Sequence, residues 1–345
     1  MSAEDRYLAT SYLGDARLAD DEGDTYSEYF QTVLEGDNTV GVIEYGPEMD
    51  VFAAGDGTLY YLSHTDNTAR LEDSVELSSG RGRALATNSD GEVYVGFINT
   101  STVWKFSVDE DNNLVEEWTY SAAGDTCMAS VGPTGEVAIG LQNGDIEIIR
   151  DDGSGATLLD TYSTGFPSGQ ASVREIVFNA DNELIAVTND NQDPNFVKVA
   201  FDPDGEELSE VWAFQYEVEN AFGGGFPGMA VNPDDEAFLA DESGKITKWD
   251  VSPDDEPVLI WEYDMTPGSD GEFENLAHQA AHNPVTGETW GCTYNGEIHK
   301  IEEVDGDPQQ VFVDDDYADT DDPEVREVKV YGEHVGTWPE EWPGT

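Results

Sequence analysis

Two arginines form the most distinctive group of binding side chains in this sequence. Arg81 and Arg83 lie two residues apart in a Gly-Arg-Gly-Arg segment, although the chain has only 14 lysines and arginines against 75 acidic residues. A planar guanidinium binds carboxylate or phosphate through paired, charge-assisted hydrogen bonds. The pair therefore predicts a clamp for an anionic group on a glycine-flexible loop. The alternative is a structural ion pair with neighbouring carboxylates, which are abundant.

Two histidines, His278 and His282, suggest a metal site together with Glu274. This segment has the pattern of a strand, in which residues four apart lie on one face and are separated by roughly 13 Å. Zinc–ligand bonds are only about 2 Å long. We therefore do not expect the two histidines to bind one ion.

Two acidic segments could hold cations. Residues 109–113 resemble the opening of a calcium loop, but Leu114 replaces the required glycine and Tyr120 replaces the bidentate glutamate. The aspartate-rich residues 314–322 are expected to associate only loosely with Ca²⁺, Mg²⁺, K⁺ or Na⁺. No specific cofactor is predicted.

The sequence indicates no nucleophilic centre. It contains no Gly-x-Ser-x-Gly segment, and no serine or cysteine has a histidine partner at a recognisable spacing. Cys127 and Cys292 are far apart in the chain, and we expect two reduced thiols in the core. No catalytic residue is therefore predicted.

Two aromatic segments are candidates for binding a partner. Phe222 and Phe226 flank a run of three glycines, and the alternative is that they pack within the fold. Trp338 and Trp342 lie in a proline-stiffened C-terminal segment. Tryptophan is costly to expose and is a favoured interface anchor. The alternative for these two residues is folding back onto the protein's own surface.

The acidic composition limits the classes of partner and environment. A net charge of −61 is typical of disorder, but 38% hydrophobic and 11% aromatic residues are enough to build a core. Repulsion among the carboxylates would destabilise a compact state in dilute salt, whereas at molar ionic strength the Debye length falls to about 3 Å. The composition resembles that of proteins of halophilic archaea and their viruses. It also argues against nucleic acid and anionic lipid as direct partners.

No targeting or membrane segment is evident. No apolar run approaches the roughly 20 residues that a membrane-spanning helix needs, and the first residues lack the pattern of a signal peptide. We therefore expect no membrane insertion, and a location either in the cytoplasm of a halophile or on a virion.

An internal repeat dominates the chain. Five turn segments, at residues 88–92, 132–136, 179–183, 232–236 and 283–288, each separate a short apolar run from an alternating one. A third strand opens about ten residues later, at Leu59, Val103, Ile146, Val197, Ile246 and Ile298. The spacing of 43 to 52 residues between these positions is the length of a four-stranded blade.

The two ends of the chain supply a further blade. Residues 1–36 contain three strand-like runs, and residues 324–332 contain the missing first one. Closing a ring in this way removes an exposed sheet edge. We predict an all-β chain that forms one seven-bladed β-propeller over residues 1–337, followed by a tail at 338–345. A β-helix is the alternative.

The alternation of a Gly-Glu turn with a Gly-x-Ile/Val strand resembles the NHL, streptogramin-lyase-like and gluconolactonase-like propellers. The resemblance covers most of the chain, but its motifs are structural and identify no single family. A gluconolactonase-like site would need inward Glu, Asn and Asp side chains on a divalent metal. Glu175, Asn275 and Asp125 are weak candidates for those roles.

The leading hypothesis is a non-enzymatic interaction or structural module that binds a protein or glycan and is adapted to high salt. One version is a capsid- or tail-associated virion protein of a haloarchaeal virus, with a homo-oligomer or large assembly as its context. The first alternative is a metal-dependent lactonase-like or lyase-like propeller enzyme. The second is a cytoplasmic interaction scaffold of a haloarchaeon.

Overall fold

The chain is built from β-strands. The computed structural model describes residues 6–11, 15–21, 26–33, 40–46, 50–65, 68–78, 80–166, 173–188, 194–217, 228–265, 277–284, 286–314 and 325–330. Within these ranges no residue is helical, and accordingly no helix there is long and apolar enough to cross a membrane. The predicted all-β class is confirmed.

Six antiparallel sheets each consist of four strands that are consecutive in the chain. Their bounds are β4–β7 at Val40–Tyr45, Val51–Gly55, Thr58–Thr65 and Thr68–Glu76; β8–β11 at Gly82–Thr87, Val93–Phe97, Thr102–Val108 and Leu114–Ser121; β12–β15 at Thr126–Val131, Val137–Leu141, Asp145–Asp151 and Ala156–Ser163; β16–β19 at Val173–Phe178, Glu183–Thr188, Phe196–Asp202 and Glu207–Phe214; β20–β23 at Gly228–Val231, Glu236–Ala240, Lys245–Asp250 and Val258–Asp264; and β24–β27 at Ala277–His282, Thr289–Thr293, Ile298–Val304 and Asp307–Asp314.

A further sheet joins the two ends of the chain. Its strand order is β28-β1-β2-β3, with bounds Val325–Val330, Arg6–Ser11, Asp15–Asp21 and Tyr26–Val33. β28 pairs antiparallel with β1, so that Tyr7 lies opposite Val330. The first strand of this sheet thus comes from the C-terminal part of the chain and the other three from the N-terminal part.

The first strands of successive sheets lie side by side. β4 contacts β8, and the series continues through β12, β16, β20 and β24 to β28, which contacts β4. We call these the inner strands. The core lies between neighbouring sheets, where Ile148 of one sheet packs in the same cluster as Ile176 of the next. This is a propeller-like arrangement of sheets.

The repeated turn has a specific hydrogen-bond pattern. In the turn after β8, Asn88 Oδ1 accepts the backbone N–H groups of Asp90 and Glu92, and Asn88 Nδ2 donates to Glu92 Oε2 at 2.7 Å. Asn179 and Asn232 make the same bonds in their own turns. An asparagine side chain that replaces missing backbone partners explains why the motif begins with this residue.

The glutamate that ends the turn binds a lysine from the third strand of the same sheet. The Nζ–Oε distances are 2.5 Å for Lys105–Glu92, 2.7 Å for Lys198–Glu183, 2.9 Å for Lys248–Glu236 and 2.5 Å for Lys300–Glu288. These four lysine side chains are buried. Most of the six lysines of the chain therefore lie inside the fold.

Three of these lysines link neighbouring sheets, each together with a tryptophan of the fourth strand. Lys105 and Trp118 bind Asp151, Lys198 and Trp212 bind the carbonyls of Val251 and Pro253, and Lys248 and Trp261 bind Glu303. Each link reaches the end of the third strand of the next sheet. We call these hydrogen bonds and ion pairs between sheets the polar latches. They add to the apolar packing between sheets.

Candidate functional site

Six inner strands contain a register shift near their first residue. One extra residue lies between two pairs of the ladder with the second strand, which is the pattern of a β-bulge. The extra residues are Gly41, Arg83, Cys127, Arg174, His278 and Arg326. Bulges redirect side chains and often lie next to functional sites.

Basic side chains are concentrated at these bulges. Arg83, Arg174 and His278 are half-buried, and Arg326 occupies the equivalent register position of β28. The starts of neighbouring inner strands lie side by side: a Cβ atom at Gly41 would overlap the carbonyl oxygen of Gly82, and one at Gly140, which pairs with Met128, would lie 2.6 Å from Val173 Cγ1. The bulges near these starts therefore lie at one end of the propeller-like body. We call Arg81, Arg83, Arg174 and His278 the basic cluster.

Arg81 extends over the neighbouring inner strand. A Cβ atom at Gly41 would lie 3.1 Å from Arg81 Cγ and 3.2 Å from Arg81 Nε, and it would overlap the carbonyl oxygen of Gly82. Glycine at this bulge therefore leaves the space that the Arg81 side chain crosses. The two arginines differ in position: Arg83 belongs to β8, which begins at Gly82, and Arg81 precedes it. The expectation that both lie on a loop is wrong for Arg83.

A layer of buried polar side chains lies further along the inner strands, one residue beyond the bulge in β16 and β24 and three residues beyond it in β4 and β28. Glu175 and Gln279 directly follow the bulge residues of β16 and β24, and Gln279 Nε2 donates to Glu175 Oε2 at 3.2 Å. Lys329 Nζ of β28 lies 3.9 Å from Glu44 Oε2 of β4. All four side chains are buried. The polar groups of this layer thus pair between inner strands that are distant in sequence.

The electrostatics of the layer are dominated by burial. Burial raises the pKa of the Glu175 carboxyl, and nearby Glu44 adds to this, whereas Lys329 and the hydrogen bond from Gln279 oppose it. The cavity beside these groups measures about 20 Å³ and is lined by Glu44, Glu175 and Lys329 together with apolar and small residues. A space of this size holds about one water molecule.

The metal candidates are only partly described by the structure. Asp125 lies half-buried before β12, where its carbonyl accepts a hydrogen bond from the N–H of Gln142 at 2.9 Å. Asn275 lies outside the described residues. Within the described ranges, no group of three or more His, Cys, Asp or Glu side chains is arranged to hold a metal ion. The metal site with Asp125, Glu175 and Asn275 stays a prediction.

The two histidines have separate environments. His282 stacks on Phe238 with ring centroids 4.0 Å apart, and its Nδ1 lies 3.1 Å from Thr289 Oγ1. Burial, assisted by Lys248, lowers the pKa of His282 to about 3. His278 instead meets the ring of Tyr294 edge-on at 4.8 Å.

The remaining candidates fall where the structure gives no description. Phe222, Phe226, Trp338 and Trp342 lie outside the described residues, as does Glu274. Their proposed roles in partner binding stay predictions.

Sequence reasoning missed Arg174, Gln279 and Lys329 as parts of one end of the molecule. A signal was present, because in four of the five repeats the bulge residue stands five positions before the first residue of the turn. Arg83, Arg174 and His278 precede Asn88, Asn179 and Asn283 by this distance. Aligning the inner strands on their turns would have placed the three basic side chains in one column.

Comparison with known proteins bears on the fold. No family model and no curated protein matches the chain. Among solved structures, the periplasmic gluconolactonase PpgL of Pseudomonas aeruginosa superposes with a TM-score of 0.73 at 10% identity, covering 94% of this chain and 98% of that one. PpgL and the two structures described next are β-propeller proteins. The fold is that of a β-propeller.

Two further propellers have different activities. Virginiamycin B lyase from Staphylococcus aureus matches with a TM-score of 0.57 at 16% identity over 78% of this chain and 82% of its own. Sqt1 from Chaetomium thermophilum, solved with the N-terminus of a ribosomal protein, matches with a TM-score of 0.59 at 11% identity over 87% and 85%. At these identities the similarity concerns the fold alone, and the fold hosts both enzymes and binding proteins.

Proposed function

We propose that the chain is a non-enzymatic binding module whose rigid propeller presents a protein-binding surface at the end where the inner strands begin. The observation that carries this proposal is that the buried polar groups of the interior pair with one another, whereas the basic groups at that end are partly exposed. Inside, Glu175 pairs with Gln279 and Glu44 with Lys329 around a cavity of about 20 Å³. At the end, the basic cluster is half-buried at the surface.

The scaffold of the proposed module is one domain of seven blades over residues 1–337, closed by strands from both termini. Pairing of β28 with β1 and contact of β28 with β4 support the closed ring. The latches of Lys105, Lys198 and Lys248 between sheets support its rigidity. A rigid scaffold that positions surface residues is the common arrangement of binding propellers and of loop-based sites in general.

The proposed working environment is multimolar salt, either inside a halophile or on a virion. The net charge of −61 supports it, because dense carboxylates repel one another unless salt screens them. Burial of most lysines adds to this, since it leaves the exterior dominated by acidic groups.

Protein is the partner class that we favour over glycan. Sqt1, which shares the fold, was solved with a ribosomal-protein N-terminus bound. The Trp338 and Trp342 tail and the Phe222 and Phe226 segment are further proposed contact residues, because exposed aromatic anchors are typical of protein interfaces.

The second candidate is a metal-dependent lactonase-like or lyase-like enzyme. The observation that favours it is a buried carboxylate, Glu175, in the interior of a fold shared with a gluconolactonase and a lyase. It requires a divalent ion held by Glu175 with Asp125 and Asn275.

Metal analysis separates the two candidates. The chain would be loaded with Ca²⁺ or Mg²⁺ in multimolar KCl, dialysed, and analysed by mass spectrometry of the elements, beside Glu175→Gln and the control Glu147→Gln. Glu147 is equally buried but lies on a third strand, bound to Tyr120 and Ala123. We expect no stoichiometric ion in any of the three. About one ion per chain that only Glu175→Gln loses would overturn the binding-module proposal in favour of the enzyme.

Cross-linking of material from the natural source tests the partner. A carboxylate-directed reagent suits a protein with 75 acidic residues and few accessible lysines. We expect cross-links from one partner protein to concentrate near Asp125, at the end where the inner strands begin. Light scattering that finds only the monomer, with no cross-linked protein, would refute the proposed function; a cross-linked glycan would change the partner class.

A further inference from the structure

The basic cluster has the chemistry of an anion site. We propose that Arg81, Arg83, Arg174 and His278 together bind a multivalent carboxylate or phosphate group at the end where the inner strands begin. The inference deepens the proposed function, on which it rests, by naming the chemistry that this surface recognises.

The first support is the distribution of basic residues. Lysine and arginine make up 14 of 345 residues, so fewer than one is expected among six bulge positions. Three of the six are arginine and a fourth is His278. The bulge residues come from strands far apart in sequence, so this enrichment is a property of one end of the fold and not of one segment.

The second support is proximity across the end of the propeller. Gln279 Nε2 and Glu175 Oε2 are 3.2 Å apart, so two side chains of this length span the distance between β24 and β16. His278 and Arg174 are the residues directly before them. The strands that carry Arg174 and His278 are thus separated by no more than two side chains of this length. Arg81 reaches toward the same end across Gly41.

The third support is the chemistry of the groups themselves. A guanidinium has five N–H donors in a fixed fork, and this fork matches the oxygens of a carboxylate or phosphate. Half-burial strengthens such bonds compared with full exposure, because the effective dielectric constant is lower.

Calorimetric titration of the full chain in multimolar KCl tests the site, with citrate as the carboxylate probe and inorganic pyrophosphate as the phosphate probe. The variants are Arg83→Gln and Arg174→Gln, and the matched control is Arg70→Gln, which removes the same charge from a side chain that is 78% exposed. We expect one saturable site in the parent, at least tenfold weaker binding in the two cluster variants, and a change below twofold in the control. The stronger of the two probes identifies the ligand class.

Arg83→Lys separates binding from folding. It keeps the charge but not the planar fork, so we expect intermediate affinity with an unchanged melting temperature. Failure of the parent to bind either probe saturably would overturn the proposal. So would equal weakening in Arg70→Gln, which would mean a diffuse charge effect.

The outcomes for the site and for the proposed function are distinguishable. Saturable anion binding without any cross-linked partner would leave the site in place and refute the protein-binding role. A partner that binds the Arg83→Gln and Arg174→Gln variants as well as the parent would refute the inference and leave the role in place.

Discussion

Substitution Asp151→Asn tests whether the polar latches hold neighbouring sheets together. Asp151 ends the third strand of its sheet and accepts hydrogen bonds from Lys105 and Trp118 of the preceding sheet, the latter at 3.0 Å. Within its own turn it accepts the N–H of Gly153 at 2.7 Å. Burial of the carboxyl opposes ionisation, but the bonds from these three residues outweigh it and hold the pKa of Asp151 below its usual range.

The expected loss follows from what the substitution keeps. Asparagine retains an oxygen acceptor for Trp118 and Gly153 but removes the negative charge that faces Lys105. Breaking a buried ion pair costs about 3–5 kcal/mol when the remaining charge is left alone, but Lys105 keeps Glu92 at 2.5 Å. A charge-assisted hydrogen bond contributes about 1.5–3 kcal/mol. We expect a decrease of about 2 kcal/mol in the free energy of unfolding, or about 3 °C in melting temperature for a chain of this length.

Urea denaturation in multimolar KCl measures this decrease, with Asp152→Asn as the control. Asp152 is the next residue, is exposed, and contacts only the hydroxyl of Thr157 among the hydrogen bonds described for its side chain. The folded pKa of Asp151 is depressed, so its contribution is present at neutral pH and is lost as the pH falls below about 4. Parent and variant should therefore converge in acid. Equal decreases in the free energy of unfolding for the two variants at pH 7, within about 0.5 kcal/mol, would refute the stabilising role of the link through Asp151.

Two further substitutions test local features of the fold. Burial raises the pKa of Asp241 to about 6 from 3.8, so stability should fall as the pH rises from about 4 to about 6. Asp241→Asn should remove that fall when melting is measured as a function of pH. The control is Asp250→Asn, which should leave the fall in place, because Asp250 is less buried although it likewise accepts hydrogen bonds from a serine two residues later. A Cβ atom at Gly228 would overlap Oε1 of Gln279 and lie 2.5 Å from its Cδ. Gly228→Ala should therefore destabilise by about 1–3 kcal/mol in urea, whereas Gly155→Ala, with no atom within 4 Å of the new Cβ, should change little; equal effects would contradict the close contact.

The class of fold could be predicted because the segment that recurs along the sequence is a turn. An Asn-x-Asp-x-Glu segment has a fixed hydrogen-bond pattern, as Asn88 shows, so its recurrence marks the same corner of each sheet. Strand starts were less predictable. The short apolar run before the turn at residues 179–183 covers only residues 176–178, whereas β16 begins at Val173 and includes Arg174 and Glu175. Charged residues at the start of a strand look like a loop when only hydrophobicity is considered.

The candidate site could be predicted only in part for the same reason. Arg81 and Arg83 were visible because they are neighbours in sequence. Arg174 and His278 belong with them only through the register of separate strands, and a one-residue bulge decides which side chain stands at the end. Register depends on pairing between strands, which local composition does not encode.

The placement of positive charge explains how a chain with a net charge of −61 can still be stabilised by ion pairs. Lys105, Lys198, Lys248 and Lys300 lie inside the sheets, each within 2.9 Å of a glutamate. Salt screens exposed charges far more than buried ones. Multimolar salt would therefore suppress repulsion among the surface carboxylates and leave these internal attractions largely intact. The internal lysines therefore fit the proposed high-salt environment, because the buried ion pairs would persist under conditions that screen the exposed carboxylates.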